Sequence, residues 1–105
     1  MHIWSKANEN SDLGWFVYVA VNEYMPDIVK IGFTGNVYRR MIELSCEFPA
    51  RFEVLEKYEF GTKQGARTME KFLFKELKEH RININREFFF KKCLPQLREV
   101  ISKIN

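Results

Sequence analysis

A chain of 105 residues is the size of one domain, with room for one core and one docked terminal helix. Hydrophobic residues make up 46% and aromatics 15%, which excludes a disordered chain and supplies bulk for a core in spite of the small size. Net charge is +3 but unevenly spread: residues 1–74 hold nine Lys and Arg against ten Asp and Glu, and residues 75–105 hold eight against four. The C-terminal excess is compatible with an anionic partner and equally with an ordinary solvated face.

Residues 1–13 show no period and read as a flexible arm. The polar run Ser5 to Asp12 stands where a signal peptide would need an apolar stretch, and no segment approaches the roughly 18 apolar residues of a membrane span. The expectation is a cytoplasmic protein with no membrane partner. Cys46 and Cys93 form no C-x-x-C pair, so neither a zinc knuckle nor a dithiol redox site is suggested, and both are expected as reduced structural thiols.

Trp15-Phe16-Val17-Tyr18-Val19-Ala20-Val21 is aromatic and β-branched, as a buried strand requires. Asn22 to Asp27, with Pro26, interrupts it, and Ile28-Val29-Lys30-Ile31-Gly32-Phe33 resumes the pattern, so the pair reads as a hairpin. Thr34-Gly35-Asn36 offers helix caps, and Val37, Met41 and Leu44 recur at helical spacing, predicting a helix over roughly 36–47 before Pro49. Phe52, Val54, Leu55, Tyr58 and Phe60 fit a third strand ended by Gly61.

From about Gln64 to Glu79, residues Met69, Phe72, Leu73 and Leu77 share one helical face. Arg86-Glu87-Phe88-Phe89-Phe90 fits either a strand or an extended segment lying on the core. Leu94, Leu97, Val100, Ile101 and Ile104 mark a last amphipathic helix with Pro95 in its first turn. The expected architecture is α+β: a small three-stranded antiparallel sheet flanked by helices, with a C-terminal amphipathic helix over residues 93–105 packed on or extending a domain of residues 14–92.

Four polar residues stand out by their setting, Tyr18 and Lys30 in apolar strands and Arg40 and Glu70 on amphipathic helices. Each also has an ordinary structural role open to it: a core aromatic, a strand gatekeeper, a solvent-facing helix residue, a helical ion-pair partner of Arg67 or Lys71. Their joint spacing resembles the GIY-YIG nuclease superfamily. Phe16-Val17-Tyr18 resembles the first tripeptide, and Lys30-Ile31-Gly32 resembles the second as used by a phage-associated branch of small stand-alone domains. Arg40 falls eight residues after Gly32, Glu70 opens a segment similar to the family's metal-binding helix, and Asn85-Arg86-Glu87-Phe88-Phe89 is similar to the branch's terminal motif. The resemblance covers roughly residues 15–92.

What it implies is a metal-dependent endonuclease of phage or mobile-element type, with Tyr18, Lys30, Arg40 and Glu70 as catalytic residues. Glu70 would be the ligand of one Mg²⁺ or Mn²⁺, and Arg40 the clamp on the scissile phosphate. If the hairpin register brings Tyr18 and Lys30 face to face, the lysine would lower the tyrosine pKa. Nucleic acid is the implied partner, with DNA as the default and RNA left open; Arg40 and the C-terminal basic excess give Arg39, Arg40, Arg86, Lys91 and Lys92 as its expected contacts. Two departures from the family pattern bear on catalysis. Phe16 stands where the first tripeptide has glycine, with Gly14 nearby as a structural substitute, and Phe74 stands where the branch often has histidine, His80 lying too far along to replace it. A degenerate phosphate-binding module of the same fold, or a protein-interaction module using the last helix, are the alternatives.

Overall fold

The computed structural model describes residues 13–46, 50–82 and 87–104. Within them the chain runs β1 (Leu13–Asn22), β2 (Ile28–Asn36), α1 (Val37–Ser45), β3 (Phe52–Phe60), α2 (Lys63–Glu76), β4 (Phe88–Phe90) and α3 (Leu94–Ile104), with short 3-10 turns at Lys78–His80 and Lys91–Cys93. The architecture is α+β, as expected, but the sheet has four antiparallel strands in the order β3-β1-β2-β4 rather than three. The triple phenylalanine supplies the fourth. Phe89 is fully buried while Phe90 is exposed, the alternation of a strand, and β4 pairs Ile28–Lys30 of β2.

Alternation along β1 and β2 splits the sheet into two faces. Val17, Val19, Val29 and Ile31 point to one face, where α2 and α3 bury Ala66, Met69, Leu73, Leu97 and Ile101 against them. Tyr18 and Ala20 point to the other, under Met41 and Leu44 of α1 and Phe52 of β3. Leu94, Leu97 and Ile101 of α3 are thus absorbed into the domain's own core, while Ile104 at its end is exposed. Arg98 of α3 also donates to Glu56 of β3 (Nε–Oε2 2.7 Å), and Glu56 in turn accepts from the Tyr58 hydroxyl.

The helices are shorter than their periodicity suggests because caps, not apolar spacing, set their ends. The Asn36 side chain accepts from the Arg39 N–H at 3.0 Å and starts α1 at Val37, and Cys46 closes it. The Thr62 hydroxyl accepts from the Gly65 N–H at 3.0 Å and starts α2 at Lys63. Beyond Glu76 the chain tightens into the Lys78–His80 turn, so the second helix stops short of Glu79. At the start of β1, Gly14 has φ 136° beside a register irregularity between Leu13 and Phe16. That backbone geometry needs glycine, which leaves position 16 open to Phe, and Phe16 is buried beneath the Lys57 ammonium.

Candidate functional site

Residues directly opposite one another across a sheet share a face, so the register fixes which side chains meet. Tyr18 pairs with Gly32 on one side and Lys57 on the other, and Ala20 pairs with Lys30. Tyr18 and Lys30 therefore share the α1 face but stand diagonally, one pair apart, and not face to face. What lies opposite the tyrosine on β2 is a residue with no side chain. A Cβ on Gly32 would come within 2.6 Å of the Tyr18 hydroxyl and 2.8 Å of ring carbon Cζ, so the glycine is the space into which the phenol folds.

Gly32→Ala should therefore destabilise the domain by about 1–3 kcal/mol through overpacking. For a chain this size that lowers Tm by roughly 4–8 °C per kcal/mol. Tyr18→Phe added to it should not restore the loss, since ring carbons and not only the hydroxyl meet the new methyl. Thermal melts of the single and double variants check both statements, and a fully stable Gly32→Ala chain would show that the ring lies elsewhere.

Folded over Gly32, the Tyr18 hydroxyl meets α1, where Arg40 Nε donates to it at 3.4 Å. The guanidinium also pairs with Glu43 one turn on (3.3 Å) and remains part-exposed. It opens onto a shallow polar cleft lined by Thr34, Gly35, Asn36, Arg39, Arg40 and Glu43. A larger hollow lies on the other flank of α1, between Tyr38, Ile42, Ser45, Cys46, Arg51 and Glu53, and none of the four singled-out residues lines it.

Lys30 is buried, which a lone ammonium does not tolerate. Its partner is Glu87, at 2.5 Å, and its ammonium also lies 5.4 Å from the Phe88 ring centroid. Glu87 directly precedes β4, and its carbonyl takes the Ile31 N–H (3.0 Å). The next outward N–H of β2, on Phe33, donates to the side chain of Glu70. In this way α2, which packs on the opposite face of the sheet, delivers a carboxylate around the edge of β2 and into range of Lys30, Glu87 and Tyr18.

The electrostatics follow from this crowding. Burial, and then the neighbouring Glu87 carboxylate, push Glu70 up to about 7, against the opposing pull of Lys30, the Phe33 N–H and Arg67. Burial likewise pushes Tyr18 up to about 12; the Arg40 hydrogen bond and charge oppose this, and Glu87 and Glu70 add to it. The expectation that a lysine lowers the tyrosine is therefore reversed. The cation on the phenol is arginine, the lysine charge is spent on Glu87, and desolvation outweighs both, so Tyr18 is a neutral phenol at ordinary pH.

The structure thus brings Tyr18, Lys30, Arg40 and Glu70 together and adds Glu87, which sequence reasoning noted only as part of a motif. It does not bring in Lys91 and Lys92. The Lys91 N–H bonds the Asp27 carbonyl at the far end of β2, and Lys92 lies by Phe90. Asp27 and Gly32 stand five residue steps apart, about 16 Å at ordinary strand rise. Arg39 is exposed on the rim of the cleft, and Arg86 lies outside the described residues. Phe74, where the resemblance would lead one to expect histidine, packs against Phe89 (centroids 5.2 Å apart) under the Arg81 guanidinium.

Among the described residues there is no cluster of three or more Asp, Glu, His or Cys side chains that could enclose a metal. The donors present suit a different mode of binding. Mg²⁺ prefers hard oxygens, keeps several waters and needs only one or two protein carboxylates. Glu70, with Glu87 in electrostatic range, meets that description, and a cation there would oppose both the burial penalty and the Glu87 repulsion that lift the Glu70 pKa.

These features define a small α+β domain with a charged site gathered at a sheet edge beneath a helix. The chain belongs to the T5orf172 domain family, whose model matches residues 15–105. No curated protein and no solved structure matches it. No helix among the described residues is long and apolar enough to cross a membrane.

Proposed function

We propose that this domain is a GIY-YIG-type endonuclease that hydrolyses phosphodiester bonds in nucleic acid with one Mg²⁺ or Mn²⁺. The observation that carries the reading is the convergence of Tyr18, Arg40, Lys30, Glu70 and Glu87 from five separate segments, around a glycine that makes room for the phenol. Phosphodiester hydrolysis needs charge stabilisation at the phosphoryl oxygens, a positioned water and relief for the leaving oxygen. Arg40, part-exposed beside an open polar cleft, supplies a planar donor fork for a phosphate. Its Nε bond to Tyr18 holds the guanidinium plane and leaves the neutral phenol with its own proton to donate to a water or a phosphate oxygen. Glu70 would hold the metal ion, which when bound acts as a Lewis acid on the phosphoryl group. Lys30, neutralised by Glu87, keeps that carboxylate beside Glu70.

Two observations favour a second reading, a phosphate-binding module that does not cut: the high Tyr18 pKa and the packing of Phe74 into the core where the branch often carries histidine. One experiment separates them. Mixed single- and double-stranded DNA and RNA are incubated with the protein in Mg²⁺, in Mn²⁺ and in EDTA. Metal-dependent cleavage is expected, and binding without cleavage in either metal would establish the module instead.

A further inference from the structure

The outer face of α2 carries Lys63, Arg67, Lys71 and Lys75, one cation every fourth residue, and Lys78 follows in the next turn. All are exposed. Successive members of such a series rise by about 6 Å and drift by about 40° around the helix, so the four form one oblique stripe about 18 Å long. No ion pair to a described residue neutralises any of them, although Lys63 also caps the Trp15 ring at 5.5 Å. Helical charge stripes are usually laced with opposite charges. Here the one exposed carboxylate on α2 is Glu76, at its last residue.

Two further observations give the stripe a destination and a partner. Arg67, its second cation, sits one turn before Glu70 and acts on its carboxylate, so the stripe passes beside the candidate site. Phe72, adjacent to Lys71 and three residues before Lys75, is 42% exposed although Met69 and Leu73 of the same helix are buried. A row of cations without an ion pair to a described residue, flanked by an exposed aromatic ring, fits a polyanion that also offers flat apolar faces. A single-stranded nucleic acid has both, whereas a duplex hides its base faces in the stack.

We infer that the outer face of α2 is a track for single-stranded nucleic acid, its cations following the phosphates and Phe72 stacking on an unpaired base, so that the strand is led toward Arg40 and Glu70. This rests on the nucleic-acid reading of the site, and neither Lys91 nor Lys92 takes part.

The test is fluorescence anisotropy of a labelled single-stranded oligonucleotide, and of its duplex, against the full chain in EDTA over a series of salt concentrations. Lys63→Gln, Lys71→Gln and Lys75→Gln combined should weaken single-strand binding at least tenfold at low salt and reduce the slope of log affinity against log salt by about 2, at roughly 0.7 per phosphate contact. Phe72→Ala should weaken single-strand binding by about tenfold, with the salt slope unchanged and duplex binding nearly unaffected. All substituted positions are exposed, so melting curves should match the parent chain. An unchanged slope in the triple variant, equal losses on single strand and duplex in Phe72→Ala, or binding to anionic lipid vesicles without binding to oligonucleotides would each overturn the track. Because metal is withheld, the two readings fail separately. Cleavage in Mg²⁺ with an unaltered triple-variant slope sinks the track alone, and a normal loss of slope in a protein that never cuts sinks the endonuclease alone.

Discussion

Glu70→Gln should abolish cleavage, by on the order of 10³-fold or more if the carboxylate holds the ion that stabilises the transition state, while leaving nucleic-acid affinity in EDTA unchanged or tighter. The side chain is nearly isosteric with protonated glutamic acid and can still accept from the Phe33 N–H, so the fold has little reason to fail. Stability should move in the opposite direction to activity. Between the ordinary carboxylate value of 4.5 and about 7, the folded chain retains a proton that the unfolded chain has released. Wild-type stability therefore falls as pH rises through that window, and the loss is complete above it. Glu70→Gln escapes the loss. At pH 8 it should be more stable than wild type by roughly 1–3 kcal/mol, allowing for partial solvent screening, and the difference should vanish as pH falls below 4.5. Mg²⁺ should raise the melting temperature of wild type near pH 8 and not that of the variant, since only the former gains binding energy in the folded state. Identical Mg²⁺ responses in the two proteins would remove Glu70 from the metal site.

That carboxylate marks the boundary of what the sequence made legible. β1, β2, α1 and α2 announce themselves by period, because each buries one face and the alternation of Val17, Val19, Val29 and Ile31, or the spacing of Met69 and Leu73, records it. Phe88-Phe89-Phe90 records nothing of the kind, since three identical aromatics have no period, and only pairing to Ile28–Lys30 reveals a strand. The identities of Tyr18, Lys30, Arg40 and Glu70 were visible through spacing, but their partners were not. Lys30 and Glu87 stand 57 residues apart and meet only because β4 adds to the edge of β2. The direction of the Tyr18 shift depends on burial, which a list of neighbouring charges does not contain. Charge counts and the folded helix point to different cations. The counts draw attention to the C-terminal stretch with Lys91 and Lys92, while Lys63, Arg67 and Lys71 belong to the stretch whose net charge is slightly negative and emerge as a stripe only on a folded helix.

Arg40→Ala should lower both affinity and rate, and the rate more. Among the described residues, the guanidinium is the one cation that both hydrogen-bonds Tyr18 and opens on the polar cleft, whereas the Lys30 charge is held by Glu87. A phosphate bound in that cleft would meet it in the ground state, so truncation should weaken binding. As hydrolysis proceeds, charge grows on the phosphoryl oxygens, and a contact that strengthens with that charge costs more in kcat than in affinity. Loss of a comparable preorganised donor lowers kcat by about 10²–10³. Arg40→Lys distinguishes the fork from the charge. It retains a cation but cannot donate to Tyr18 and a phosphate through one rigid plane, so it should recover most of the affinity and little of the rate. Single-turnover cleavage beside binding titrations of the three proteins decides the matter. If Arg40→Lys cuts as fast as wild type, the Tyr18–Arg40 bond has no part in positioning; if Arg40→Ala binds and cuts normally, the phosphate does not occupy this cleft.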